Sequence, residues 1–378
     1  MGQSSNICVI LNRFDYGKSA YFTFAFPCGF CCGNAVFEKG GTPKAVNQAF
    51  PEIFANYISL YADRECQKKL PFKIFRNEIL FLSTSSLEAF SENMEKIHFI
   101  LFYMEPSEEI FNLAKANAIS SMKKRYAEIR YRALYKMLEF SESEKGFRFS
   151  KLARDMQELD FAEFSRYQTC FIQPENCTLL AAGNFENIPS ELRLKKREKT
   201  CEVPRFCFFN REINFGNDFH VVQPDILDYS AGCMKFFFKG KDVSATERYF
   251  LLSLLAAVLF QEDYDVHVDA ADASIIYWNR MVSEYKYRLA DALSDPKICD
   301  VSGGILHALY SMQTKQPENF LALWSSLMMN GINLQEYIHL LEACSCEGAL
   351  RLFKKSDPIV CEGGVFLRAG DTDELNHH

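Results

Sequence analysis

The chain has 378 residues, too long for one ordinary core and comfortable for two domains of ordinary size. Hydrophobic residues make up 48% and charged residues 24%, which excludes a disordered chain. The formal net charge of -7 gives nucleic acid no basic footprint. The longest nearly apolar stretch, Tyr249 to Phe260, is much shorter than the ~20 residues that a membrane helix needs.

The opening predicts two strands, Ile7 to Leu11 and Ala20 to Phe26, joined by a turn at Asp15 to Lys18. Gly40-Gly41 then breaks the chain. Thr42-Pro43 offers an N-cap with proline at the first helical position, so a helix is expected there, and a second from Pro51. Lys73 to Ser85 reads as strand, Leu87 to Glu95 as helix, and His98 to Met104 as an apolar, β-rich run. A long helix follows Pro106-Ser107, with apolar residues at helical spacing from Ile110 to Met137. Asp160 and Glu163 form a capping-box pattern before a short helix, and Pro174 precedes a strand at Cys177 to Ala182.

Residues 189–204 are polar and basic, as expected of an interdomain linker. They separate a first domain, 1–188, from a second, 205–378. The second half repeats the theme. Met234 to Phe238 reads as strand, and Ser244 with Glu247 caps an apolar helix through Phe260. Strands follow at Tyr264 to Val268 and Ser274 to Trp278. Helices are expected at Ser283 to Leu293, Gln316 to Met329, and from Asn333 to about Cys344. The pattern predicts an α+β protein of two related domains, each an antiparallel sheet covered by helices on one side.

Phe is over-used, at 35 residues, which points to a well-filled aromatic core. There are 14 cysteines. Residues 1–15 hold no apolar run followed by a small-residue cleavage site, so a cytoplasmic chain with reduced thiols is expected.

Leu159 to Phe185 reads LDFAEFSRYQTCFIQPENCTLLAAGNF. A short helix carrying a tyrosine, a Pro-Glu-Asn turn and a strand ending in Gly-Asn resemble the end of an N-terminal domain of the M16 peptidases. This is the family of pitrilysin, insulinase and mitochondrial processing peptidase. The long helix from Ser107 to Leu138 resembles the helix that carries the family's third zinc ligand. The resemblance covers most of residues 7–190 and is carried by order and length from 205 to 378.

The family's zinc motif is His-x-x-Glu-His, two histidine ligands flanking a glutamate that activates metal-bound water. The resemblance puts Lys44, Asn47 and Gln48 at those places. A lysine cation repels zinc, asparagine cannot take a proton from water, and glutamine is a poor ligand. Glu128 is the nearest match to the third ligand, and the resemblance brings it and Lys44 together as a buried pair in a vacated site. The family's second domain holds substrate with an arginine and a tyrosine; here Tyr264 is the nearest match, with Tyr277 and Arg280 as substitutes and Ala257 at the arginine's place. No catalytic residue and no metal are therefore expected in this chain. The resemblance implies a non-catalytic, two-domain subunit of a heterodimeric peptidase, with zinc in an M16 homologue subunit and a peptide as substrate. Some such bacterial pairs mature ribosomally made bacteriocin peptides.

Two other readings stand beside it. Cys28, Cys31 and Cys32, with Cys344 and Cys346, could ligate a metal or act in redox chemistry. The chain could also be a free-standing peptide-binding or structural protein.

Overall fold

The computed structural model describes residues 8–11, 15–38, 41–67, 69–141, 147–185, 205–206, 229–240, 242–260, 264–268, 273–278 and 293–367. In chain order the elements begin with strands β1 (Cys8–Leu11), β2 (Ser19–Phe26), β3 (Asn34–Val36) and β4 (Lys44–Ala45). Helix α1 (Phe50–Cys66), β5 (Phe72–Ile74) and β6 (Ile79–Ser86) follow. Then come α2 (Phe90–Phe102), α3 (Glu108–Ala127), α4 (Ile129–Ser141), α5 (Phe149–Glu158) and α6 (Phe161–Phe171). A 3-10 turn at Pro174–Asn176 leads to β7 (Thr178–Gly183), β8 (Arg205–Phe206) and β9 (Tyr229–Phe238). The chain continues through α7 (Ala245–Phe260), β10 (Tyr264–Val268), β11 (Ala273–Trp278) and α8 (Pro296–Lys315). It ends with α9 (Pro317–Met329), α10 (Leu334–Glu342), α11 (Cys346–Ser356) and β12 (Pro358–Leu367).

Two compact units result, and neither is continuous in sequence. The first gathers Met1–Met122, Ser150–Phe208 and Thr314–Ser326; the second gathers Lys123–Phe149, Phe209–Gln313 and Leu327–His378. A single division at residues 189–204, which lie outside the described residues, does not describe this exchange. Helix α4 packs on β9, β11 and β12 of the second unit, and 314–326 belongs with the first.

The first unit is built on a five-stranded sheet in the order β1-β7-β2-β6-β5. Only β1–β7 is a parallel pair; the other pairs are antiparallel. The two opening strands are therefore not a hairpin, because β7 is inserted between them. Phe22, Phe24 and Phe26 alternate along β2 and are all buried. Phe26 meets Phe81 of β6 at 6.2 Å and Phe102 of α2 at 5.8 Å between ring centres. Phe50 and Phe54 of α1 stack at 5.5 Å and meet Phe164 of α6. The phenylalanines thus fill a core, as their abundance predicts.

Three sequence expectations fail here. Residues 98–102 are helical, because Phe90, Met94, Ile97 and Leu101 form one buried stripe of α2. The long helix breaks at Glu128 into α3 and α4. Strand Lys73 to Ser85 is in fact the hairpin β5–β6 around a turn in which Phe75 N–H donates to the Glu78 carbonyl at 2.8 Å.

The second unit holds a four-stranded antiparallel sheet, β10-β11-β9-β12. Strand β12 pairs with β9 over its whole length, from Pro358–Phe238 to Leu367–Tyr229. Helix α7 is buried from Phe250 through Ala257 and again at Leu259 and Phe260, which makes it the unit's core. Its start is a reciprocal cap: Ser244 N–H donates to Glu247 Oε2 at 2.8 Å, and Glu247 N–H to Ser244 Oγ at 3.0 Å. The helix expected at Ser283 to Leu293 falls almost wholly outside the described residues. Helices α8 and α11 and strand β12 had no counterpart in the sequence reading.

Candidate functional site

The segment that should carry zinc-site chemistry, residues 44–48, is not helical. Lys44 lies in β4 opposite Ala35 of β3, and its side chain is exposed. Val46 N–H donates to Gly33 O at 2.9 Å, and the helix starts only at Phe50, with Pro51 in its first turn. The helix expected from Thr42-Pro43 is thus replaced by a strand and a turn, because strand pairing takes the backbone donors that a helix would use.

Asn47 and Gln48 shape that turn. Asn47 Oδ1 accepts from Ala49 N–H at 3.0 Å, which caps the approach to α1. Asn47 Nδ2 donates to the Asp155 carbonyl at 3.0 Å. Gln48 N–H donates to Asp155 Oδ2 at 2.7 Å, and Gln48 is 1% exposed. Lys151, one turn before Asp155 on α5, completes the arrangement. Its Nζ donates to Asp155 Oδ2 at 2.7 Å and to Val46 O at 3.0 Å. Tyr167 of α6 closes the other side: its hydroxyl accepts from Asn47 N–H at 3.3 Å and donates to Glu163 Oε1 at 2.7 Å. Burial, and then that bond to Glu163, push the Tyr167 phenol up to about 12.

Chemically this is a latch. One carboxylate, one ammonium, one amide and one phenol fasten α5 and α6 to the start of α1. Each of these groups is hydrogen-bonded to a neighbour, and the Asp155 carboxylate, the one good zinc ligand among them, is taken up by Lys151 and Gln48 N–H. The residues present do not fit the family's metal. Among the described residues, no group of three His, Cys, Asp or Glu side chains is disposed to hold a metal ion.

Glu128 stands in the break between α3 and α4. Its N–H donates to Arg125 O at 3.0 Å, and its carbonyl accepts from Tyr131 N–H and Arg132 N–H at 3.1 and 3.2 Å. Its side chain is exposed, as is that of Lys44, so the expectation that the two are buried as a pair is corrected.

Tyr277 is fully buried, stacked on Phe260 at 4.2 Å and 6° and lying over Gly232. A side chain in that position presents nothing to a substrate. Arg280 lies outside the described residues. Tyr264 opens edge strand β10 and is half-buried. It neighbours Tyr249 and Tyr337, whose rings meet edge-on at 5.2 Å and whose phenols both bond Ser253. Burial raises the Tyr264 phenol. Sequence reasoning missed Asp155 and Lys151. Their i, i+4 spacing on α5 was the available signal, but it fits any surface helix equally well.

The cysteines at 28–32 are core residues. All three are buried, and Cys32 Sγ accepts from Gly29 N–H at 3.1 Å. Burial pushes the Cys28 thiol far up, the opposite of a ligand or nucleophile.

No family model matches the sequence, and no curated protein is similar to it in sequence. Solved structures are similar in fold. An M16-like peptidase from Alicyclobacillus acidocaldarius superposes with TM-score 0.67 at 10% identity, over 93% of this chain and 94% of that one. A protease from Helicobacter pylori gives 0.67 at 10% identity, over 94% and 95%. The fold is that of the M16-like peptidases. A chain of complex III2 from Candida albicans shares it, with TM-score 0.62 at 11% identity over 95% and 93%. The periplasmic protease PqqL from Escherichia coli gives 0.61 at 12% identity, and 93% of this chain spans 43% of PqqL. Identities this low speak for the M16 fold alone.

Proposed function

We propose that this chain is the non-catalytic subunit of a two-subunit zinc peptidase of M16 fold. It supplies half of a peptide-processing chamber, and an M16 homologue subunit supplies the zinc and the general base. The carrying observation is the latch at residues 46–48. Where the sequence resemblance sets the family's zinc motif, the side chains of Asn47 and Gln48 lie in a turn held by Asp155, Lys151 and Tyr167. The span of 43% of PqqL supports the half-chamber reading, since a chain of this length corresponds to about half of that protease. Its peptide belongs to the class matured by bacterial two-subunit enzymes, including ribosomally made bacteriocins, and the pair works in the cytoplasm.

The test is capture of the tagged chain from its native host, followed by mass spectrometry of what co-purifies. A homologue with intact His-x-x-Glu-His, and peptidase activity only in the complex, are expected. In that complex Lys44→Ala leaves the rate unchanged, while destroying the partner's motif abolishes it. Loss of the rate on Lys44→Ala with assembly intact would give this chain a chemical role. A second reading, a structural subunit of a larger assembly, draws on the likeness to a chain of complex III2; co-purification of a multi-protein assembly without peptidase activity would favour it.

A further inference from the structure

Three thiols gather in the second unit, away from the latch. Cys299 lies in the first turn of α8, its N–H bonded to Asp295 O at 3.0 Å, and it is completely buried. Cys344 lies in the turn between α10 and α11, next to Ser345, which caps α11 through Gly348 N–H at 3.2 Å. Cys344 is half-buried, and its thiol is hydrogen-bonded to that of Cys299. Its approach depends on Gly303, one turn beyond Cys299 on α8. A Cβ there would stand 3.0 Å from Cys344 Sγ, so the glycine leaves the room the sulfur takes. The third thiol, Cys346, is turned away: its Sγ donates to Leu293 O at 2.9 Å.

We propose that Cys299 and Cys344 form a reversible disulfide, an oxidation site that ties the first turn of α8 to the α10–α11 junction. Low-molecular-weight disulfides are the co-reactant. The half-buried Cys344 gives its proton to solvent and attacks one sulfur of RS–SR. A mixed disulfide forms, and RS⁻ leaves to take a proton from water. Cys299 then attacks Cys344 Sγ, and the second RS⁻ leaves with the proton that the buried Cys299 thiol gives up. Two protein thiols are oxidised to one disulfide, and RS–SR is reduced to two RSH. The order follows from exposure: of the two, Cys344 is half-buried and Cys299 is fully buried, so Cys344 meets the oxidant first. Burial of both thiols and the nearby charge of Asp300 hold the pair in the thiol form at neutral pH, so the exchange speeds up as pH rises. Metal capture is the less suitable use, because no group of three such side chains among the described residues is disposed for it.

The consequence lies in the loop that the bond closes. Residues 299–344 contain Thr314–Ser326, the excursion of chain that belongs to the first unit. A disulfide fixes both ends of that excursion and restricts the unfolded chain.

The experiment uses the full-length chain and hydroxyethyl disulfide at mildly alkaline pH, with alkylation and non-reducing peptide mapping by mass spectrometry. A Cys299–Cys344 linked peptide is expected, reversed by dithiothreitol, with a thermal midpoint higher by about 5 °C in the oxidised protein. Cys346→Ser should retain the link, and Cys299→Ser should stop at the mixed disulfide on Cys344. A mixed disulfide that persists on wild-type Cys344, or a link from Cys344 to any other cysteine, overturns the proposal. Mapping of the wild-type chain decides this even where a variant does not fold.

Discussion

Asp155 shows how much of the turn before α1 rests on a single side chain. Its carboxylate, 7% exposed, accepts from Gln48 N–H and from Lys151 Nζ, both at 2.7 Å. Removing a buried charged acceptor strands both donors, so Asp155→Ala should cost about 3 kcal/mol. Urea unfolding should show a lowered midpoint with an unchanged slope; an unchanged midpoint would mean the latch carries no stability. Lys44→Ala, on an exposed strand residue, should fall within about 0.5 kcal/mol of wild type.

Glu78 gives the pH dependence. It is 1% exposed, and burial pushes its carboxyl from 4.5 to about 7. Between those values the folded chain keeps a proton that the unfolded chain has lost. The contribution is therefore complete below pH 4.5 and is lost as pH rises towards 7, about 3 kcal/mol in all. His98, buried against Phe102 at 4.8 Å, acts in the opposite sense: burial lowers it from 6.5 to about 4, so its contribution is present above pH 6.5 and is lost as pH falls towards 4. Comparing wild type with Glu78→Gln isolates Glu78, because His98 is common to both. The wild-type unfolding free energy should fall more steeply from pH 4.5 to 7 than that of the variant, and parallel curves would contradict the assignment.

Elements set by local bonds were legible in the sequence. The caps at Asp160, Ser244 and Asn333 are all formed, because each joins a side chain to backbone two or three residues on. Elements set by distant partners were not. Nothing in Cys8–Leu11 announces that β7 will lie between it and β2, and nothing near Thr42-Pro43 announces β3 as a competitor for its backbone. His98 to Met104 failed because a short apolar run has no period that separates strand from helix. The sequence offered Lys44, Asn47 and Gln48 only through a resemblance, and nothing in it announced that Asp155 and Lys151 would bind residues 46–48, since that contact spans more than 100 residues of chain. Close packing is equally silent in sequence. A Cβ on Gly29 would meet Phe75 O, Arg76 O and Glu78 N at 2.3–2.4 Å, all backbone atoms of the β5–β6 turn. Gly29→Ala should therefore cost about 3 kcal/mol or more, measured by denaturant unfolding; a cost under about 1 kcal/mol would show that the turn can move.

At the scale of the whole molecule, the chain has the fold of the M16-like peptidases, and Asn47 and Gln48, which the sequence resemblance sets at the zinc position, are bound into the turn before α1. The fold likeness extends over more than nine-tenths of this chain in the solved structures compared. The proposed role rests on that fold and that turn: in it the chain would contribute wall, and chemistry would enter with a partner. The most direct test is the zinc content of the purified chain, measured by elemental analysis alongside hydrolysis of a mixed peptide library. The account predicts far less than one zinc per chain and no chelator-sensitive cleavage. About one zinc per chain, lost together with peptidase activity on chelation, would contradict it.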